Sequence, residues 1–228
     1  MSSNFHPDGT LFIVSGPSGA GKTTLITRVR DELRALKIEL YFSVSHTTRR
    51  ARTGEIPGIS YHFVSDQEFQ SMRAGGEFLE HAHVHAHWYG TSKAEVAGRL
   101  RDGLDVILDI DYQGAKQIAE DPELRSRSLS VFIFPPSLDV LEQRLHQRGV
   151  NSEDEIELRL KKAIAEIDEG KGFYDYIIIN DDLDVATECL KAAVIAKKLQ
   201  TRTALEAIAR MAERFKEEDR NGRTARRN

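Results

Sequence analysis

Cysteine is nearly missing from this chain of 228 residues: Cys189 is the only one. No intramolecular disulfide can form, and its position in an apolar helical pattern predicts a small buried residue. No apolar run is long enough to span a bilayer, and the first ten residues have neither the basic start nor the hydrophobic stretch of a secretion signal. An excess of one charge is also lacking. There are 32 Lys and Arg against 36 Asp and Glu, a net charge of -4. The whole molecule therefore offers no attraction for nucleic acid or an anionic membrane, and any anion site must be built locally. The expectation is a cytoplasmic chain with no nucleic acid and no membrane among its partners. Its length suits one substantial core with appended pieces rather than two large domains.

What is present begins with Gly16-Pro17-Ser18-Gly19-Ala20-Gly21-Lys22-Thr23-Thr24. This matches the phosphate-binding pattern G-x-x-x-x-G-K-[ST], with Leu11-Phe12-Ile13-Val14 as a strand before it. Leu25, Ile26, Val29, Leu33 and Leu36 follow at helical spacing. Glycines allow the backbone to turn inward, its N–H groups converge on phosphate oxygens, and the helix dipole points at the same anion. Lys22 adds a mobile charge for the β- and γ-phosphates, and the Thr23 hydroxyl suits Mg2+. This predicts a nucleoside triphosphate site. A guanine-nucleotide switch protein would also need N-K-x-D, and the nearest segment, Asn180-Asp181-Asp182-Leu183, has no Lys.

In chain order, strands are predicted at 11–15, 40–45, 105–109, 130–134 and 176–179, and helices at 23–37, 92–101, around Leu138 to Leu145, and from Leu183 to about Phe215. Ser92 with Glu95, and Ser152 with Glu155, have capping-box spacing. After Ser152, the residues Ile156, Leu160, Ala163, Ile164 and Ile167 form the apolar stripe of a long helix. Between 45 and 91 the character changes to short pieces rich in basic residues, Gly and Pro, an inserted and partly β block. Apolar strands separated by crossover helices predict an α/β fold whose parallel sheet is covered on both faces.

Several separated motifs narrow the reading. Ser43-Val44-Ser45-His46-Thr47-Thr48-Arg49, Arg52, Gly54-Glu55, Tyr61, Phe78-Leu79-Glu80, Trp88-Tyr89-Gly90-Thr91, Leu108-Asp109-Ile110-Asp111-Tyr112-Gln113-Gly114 and Asn180-Asp181-Asp182 occur in that order. Over about residues 9 to 200 the chain resembles guanylate kinase in its bacterial single-domain form. The resemblance implies a P-loop nucleoside monophosphate kinase fold that transfers the γ-phosphate of ATP to GMP, and to dGMP, giving ADP and GDP. It divides the chain into a core (9–44, 92–140 and 175–200), a GMP-binding region (45–91), a helical lid (141–172) and a C-terminal helical extension with a loose tail (201–228). ATP and GMP are the implied partners, with Mg2+ as cofactor. A non-catalytic binding module of the same fold is an alternative that the intact Gly21-Lys22-Thr23 argues against, and a kinase for another nucleotide is one that Glu80 with Ser45 argues against.

The residue chemistry agrees with the resemblance. Guanine presents N1–H and a 2-amino group as donors and O6 as an acceptor. One ionised Glu80 accepts both donors, and Ser45 or Thr91 can donate to O6, whereas adenine has no such donor pair. Guanidinium forks pair bidentately with phosphate. By resemblance Arg49, Arg52, Tyr61 and Tyr89 hold the GMP phosphate and Glu55 steadies the arginines, while Arg50 reads as a solvated surface charge. Arg144 and Arg148 stand four apart, hence on one helix face, and Arg159 lies on the polar side of the next helix. By resemblance these three close over the ATP phosphates, with Arg148 and Arg159 stabilising the transferring group alongside Lys22 and Arg52. Asp109 and Asp111 follow a buried strand at the end where ligands gather. Two apart, they face one side if the strand continues, and both are candidates for the GMP site: one supports Mg2+ through water while the other reaches the guanine side or orients an arginine, with Asp109 preferred for the metal side. By resemblance Asn180 lies near the adenine.

His81, His83, His85 and His87 alternate outside the family pattern. A strand would put them in one row on one face, an awkward arrangement for a tetrahedral metal, so solvated or hydrogen-bonded imidazoles are expected. Trp88 stands where the family more usually has Tyr. Beyond Gln200, Leu205, Ile208, Ala212 and Phe215 form one helical stripe able to dock on its own core or on a second copy as a homo-oligomer contact.

Overall fold

Alternation along the first strand sets the architecture, because Leu11 and Ile13 pack into one buried cluster while Phe12 and Val14 pack into another. The computed structural model describes residues 9–84, 86–147, 153–170, 172–200, 208–209 and 211–216. Its elements run β1 (Leu11–Ser15), α1 (Lys22–Ala35), β2 (Leu40–Phe42), β3 (His46–Thr47), β4 (His62–Phe63), α2 (Asp66–Ala74), β5 (Phe78–Val84), β6 (His87–Ser92) and α3 (Lys93–Arg101). They continue β7 (Asp105–Asp109), α4 (Tyr112–Glu120), α5 (Pro122–Arg127), β8 (Ser128–Phe134), α6 (Leu138–Gln147), α7 (Glu153–Gly170), β9 (Tyr176–Ile179) and α8 (Leu183–Lys198).

Five parallel strands form the main sheet in the order β2-β7-β1-β8-β9. One face is covered by α1 and α8 through Leu25, Val29, Leu33, Leu190 and Val194. The other is covered by α3 and α4 through Val96, Ala115 and Ile118. Val14 pairs with Asp109, so the loop after the central strand and the carboxylate ending β7 emerge side by side at the C-terminal edge. A second sheet, β4-β3-β6-β5, is built from residues 46–92 around Phe69, which stacks on Phe78 at 4.4 Å and on Trp88 at 5.8 Å. Leu141, Leu145, Ile156 and Ala163 give α6 and α7 a small core of their own.

Several expectations need correction. The strand expected over 40–45 stops at Phe42, because the chain leaves the first sheet there and His46–Thr47 joins the second. Asp111 does not continue β7. It caps α4, accepting from Gly114 N at 3.0 Å, so it does not share a strand face with Asp109. Cys189 is exposed, because the buried stripe of α8 runs through Ala186, Leu190, Ala193 and Val194 and leaves it on the other side. The sheet is not covered on both faces throughout: on edge strand β9 only Ile178 is buried. Ile164 is exposed, off the line joining Ile156 and Ala163. Helix α8 ends at Lys198; Ser152 and Leu205 lie outside the described residues, while Ile208 and Phe215 are helical and exposed. Among the described residues no helix is long and apolar enough to cross a membrane.

Asp175, just before β9, accepts from Arg125 Nη1 and Nη2 at 2.8 and 2.6 Å and from Ser130 N and Oγ at 2.8 and 3.0 Å. Burial alone would raise its carboxyl, but these bonds outweigh it and hold the group below the usual range. The stabilisation is therefore complete at neutral pH and fades as acid protonates the folded carboxylate. Asp175→Ala should cost about 2 kcal/mol in urea unfolding at pH 7, with Asp175→Asn costing less because one acceptor remains. A loss under about 0.5 kcal/mol would show that the network is incidental.

Candidate active site

Three glycines with positive φ shape the loop after β1: Gly16 at 142°, Gly19 at 101° and Gly21 at 91°. At Gly16 the need is also spatial, since a Cβ there would stand 2.2 Å from the Ile133 carbonyl oxygen. Gly21 precedes α1 without a side-chain cap, so the first-turn N–H groups of that helix remain available to an anion. Lys22 Nζ donates to Gly16 O at 2.7 Å and to Pro17 O at 3.4 Å, and lies 3.8 Å from Asp109 Oδ1. Thr23 Oγ1 donates to Asp109 Oδ2 at 2.8 Å, while Thr24 is exposed beside it. A hydroxyl and a carboxylate meeting at the phosphate loop are hard oxygen donors of the kind Mg2+ takes.

The loop is held from outside. Asn180 Nδ2, buried, donates to Ala20 O at 2.7 Å, so its amide supports the loop. Arg144 Nη2 donates to Asn180 O at 3.1 Å, and its Nη1 is buried without a hydrogen-bond partner among the described residues. Arg159 Nη1 donates to Ser18 Oγ at 2.8 Å, which turns this arginine toward the phosphate loop. Gly19 lies against Leu141 and Leu145 of α6. Arg148 lies outside the described residues.

A second cationic cluster stands on the inserted sheet. Arg49 Nη1 and Nη2 pair bidentately with Glu55 at 3.0 and 2.7 Å, and Arg52 N donates to Glu55 Oε2 at 2.7 Å. The Arg52 side chain is exposed. Arg49 lies 5.4 Å from the Tyr61 ring, and Tyr61 meets Tyr89 edge-on at 5.9 Å. Burial pushes the Tyr61 hydroxyl up to about 12, with the Asp109 charge adding to it, so this cluster adjoins the phosphate loop.

The acidic pocket is separate. Glu80 is 4% exposed, and its Oε1 accepts from Thr91 N at 2.9 Å. Desolvation pushes its carboxyl up to about 7 against the Thr91 contacts, and the Asp111 charge adds to the rise. The Thr91 hydroxyl is buried beside the Glu80 carboxyl, and the half-buried Ser45 accepts from His62 N through its carbonyl at 2.9 Å. Asp111, raised by burial with the Lys22 charge drawing it back, caps α4 at Gly114 beside Glu80, whereas Asp109 contacts Thr23 and Lys22 directly.

One carboxylate here escaped sequence reasoning. Glu166, on α7 seven residues after Arg159 and so on the same face, is pushed up to about 7 by burial, with Lys22 drawing it down and Asp111 raising it. That seven-residue spacing was the available signal. The histidine row resolves into ordinary contacts. His81 Nε2 accepts from Arg73 Nε at 3.0 Å and its Nδ1 lies 3.2 Å from Gln117 Oε1, while the His83 ring sits 4.9 Å from Trp88. Trp88 also lies under Arg73 at 4.7 Å. His85 lies outside the described residues, and no cluster of metal-ligating side chains occurs among them.

The family model described as guanylate kinase matches residues 8–197. A guanylate kinase of Desulfotalea psychrophila is 46% identical over 194 residues, covering 85% of this chain and 92% of its own. One from Hahella chejuensis is 46% identical over 192 residues, covering 84% and 88%. The crystal structure of guanylate kinase from Anaplasma phagocytophilum superposes with a TM-score of 0.69 at 30% identity, covering 86% of this chain and 89% of that one.

The Glu80 carboxyl carries a pH signature. Its folded value near 7 exceeds the ordinary 4.5, so the folded state keeps a proton that the unfolded chain releases between those values. Glu80 therefore withdraws stability as pH rises through that window. Relative to the parent chain, Glu80→Gln should gain several degrees in Tm between pH 5 and pH 8. A Tm difference that is flat across that range would mean Glu80 ionises as an ordinary surface carboxylate does.

Proposed function

The chain belongs to the guanylate kinase family, and from that premise we propose how its residues divide the transfer of the γ-phosphate of ATP to GMP. The observation that carries the division is the separation of Asp109 from Asp111: one closes the phosphate loop through Thr23, the other stands beside buried Glu80. Gly16 to Thr24 form the ATP phosphate site, with Arg144 and Arg159 above it and Asn180 supporting it. Arg49, Arg52, Tyr61 and Tyr89 take the GMP phosphate, braced by Glu55. Glu80 accepts from the guanine N1–H and 2-amino group, with Asp111 on the same side and the Thr91 hydroxyl or Ser45 turned to O6. Residues 45–91 thus serve as the GMP-binding region and 141–172 as the lid.

A GMP phosphate oxygen attacks the γ-phosphorus, the bond from that phosphorus to the β–γ bridging oxygen breaks, and its electron pair leaves with ADP. No general base is required of the protein when the attacking oxygen is already ionised. Lys22 exchanges the Gly16 carbonyl for phosphate oxygens, and Arg159, with Arg148 from the same lid region, exchanges its protein acceptor for the group in flight. Thr23, and Asp109 through water, would hold Mg2+, which would supply neutralisation of the triphosphate charge. Covering the cleft keeps water from taking the phosphoryl group.

A coupled assay of ADP release with GMP, dGMP, AMP and UMP should give turnover with the guanine nucleotides only. Preference for AMP or UMP would remove Glu80 from base reading. Lys22→Ala should lower kcat at least about a hundredfold. GMP affinity in the same variant, read by calorimetry, should stay within about threefold, because different segments hold the two phosphates. A parallel loss of GMP affinity would contradict that division.

A further inference from the structure

Gly114 is a glycine inside a helix, and its backbone gives no reason for one. It lies in the first turn of α4 and is absent from the positive-φ positions. There a glycine weakens a helix relative to alanine. The reason is spatial: a Cβ on Gly114 would stand 2.2 Å from Glu80 Oε2, 2.9 Å from Cδ and 3.3 Å from Cγ. The obstacle would be the carboxylate itself, buried and tethered through Oε1 to Thr91 N.

Nor can α4 retreat freely. One turn on, Gln117 Oε1 accepts from His81 N at 3.2 Å and Gln117 Nε2 donates to His81 O at 2.7 Å. The side-chain amide thus pairs with both backbone groups on the outer edge of β5, a strand that ends its sheet. Gly114 and Gln117 are three apart, hence on one face of α4, and they meet the adjacent residues Glu80 and His81. The amide fixes the spacing between helix and strand, and the missing methyl leaves room within it for the second carboxylate oxygen.

We propose that Gly114 is a specificity-determining positioning residue: it lets both oxygens of Glu80 face the purine, one for each guanine donor. This rests on the assignment of Glu80 to the guanine edge. Hypoxanthine keeps N1–H and lacks the 2-amino group, so IMP needs one acceptor where GMP uses two. Displacing one oxygen should therefore penalise GMP more than IMP, because the 2-amino group is then left unpaired in a dry pocket.

The test compares Gly114→Ala with Gly98→Ala, a helical glycine in α3 with nothing within 4 Å of its would-be Cβ. Gly98→Ala should leave turnover unchanged. Gly114→Ala should lower kcat/KM for GMP by about 30-fold or more, shrink the GMP-to-IMP ratio about tenfold, and leave binding of an inert ATP analogue within about twofold. In a Glu80→Asp background, where the shorter side chain clears the methyl, the same change should cost less than about threefold. Wild-type kinetics in Gly114→Ala, or equal losses in the parent and Glu80→Asp backgrounds, would overturn the inference while leaving the base assignment intact. A Glu80→Gln enzyme that still prefers GMP to IMP would instead remove the assignment itself. Should Gly114→Ala fail to fold, Glu80→Asp in the same chain should restore its Tm, and failure to do so would also overturn the inference.

Discussion

One buried amide ties the phosphate loop to the rest of the fold. Asn180, at the C-terminal end of β9, donates to the Ala20 carbonyl inside the phosphate loop, and its own carbonyl accepts from Arg144 on α6. The backbone of a loop with three left-handed glycines cannot satisfy itself as a helix or strand would, so it needs acceptors and donors brought from elsewhere. Asn180 supplies one from the last strand of the sheet and in doing so links the loop to the helix that follows β8. The spacing allows no alternative, since a Cβ on Gly21 would meet the Asn180 amide nitrogen at 2.5 Å.

Four cations of the site share a second property. Lys22 donates to the Gly16 carbonyl, Arg159 to the Ser18 hydroxyl, Arg144 to the Asn180 carbonyl, and Arg49 to Glu55. Each is oriented by an acceptor of the protein's own, so binding an anion exchanges one set of hydrogen bonds for a stronger, charge-assisted set. The orientation cost is met in advance by folding, which is the physical content of preorganisation. Glu166 adds a constraint of opposite sign. A carboxylate on the same helix face as Arg159 lies near Lys22 and Asp111, so the charge balance of the cleft depends on where α7 rests.

Much of this was legible in the sequence, and the exceptions have physical causes. Uniformly apolar runs marked β1 and β7, because a strand inside a parallel sheet needs apolar side chains on both faces; β9 had the same apolar run but, at the edge, buries only Ile178, and Ser92 and Glu95 marked the start of α3. Pattern does not reveal partners. The break between β2 and β3 reflects a change of sheet, not a change of residue type, and it was missed for that reason. The capping role of Asp111 was hidden because an aspartate after a strand suits a metal site and a helix start equally well. Cys189 was misjudged because composition ranks residue types and cannot say which side of α8 they occupy. At the site, Glu80, Arg49 and the phosphate loop could be named from motifs. Glu166 was not named, and Gly114 stood in a motif without a role, because the significance of both lies in what the fold brings close to them.

The exposure of Cys189 has a practical side. It is the only thiol in the chain, and it stands on the outward face of a helix packed against the main sheet, outside both residues 45–91 and residues 141–172. A maleimide-linked fluorophore would attach there without any native residue being removed first. With a second probe on either of those segments, energy transfer would read its distance from a fixed origin in the native sequence.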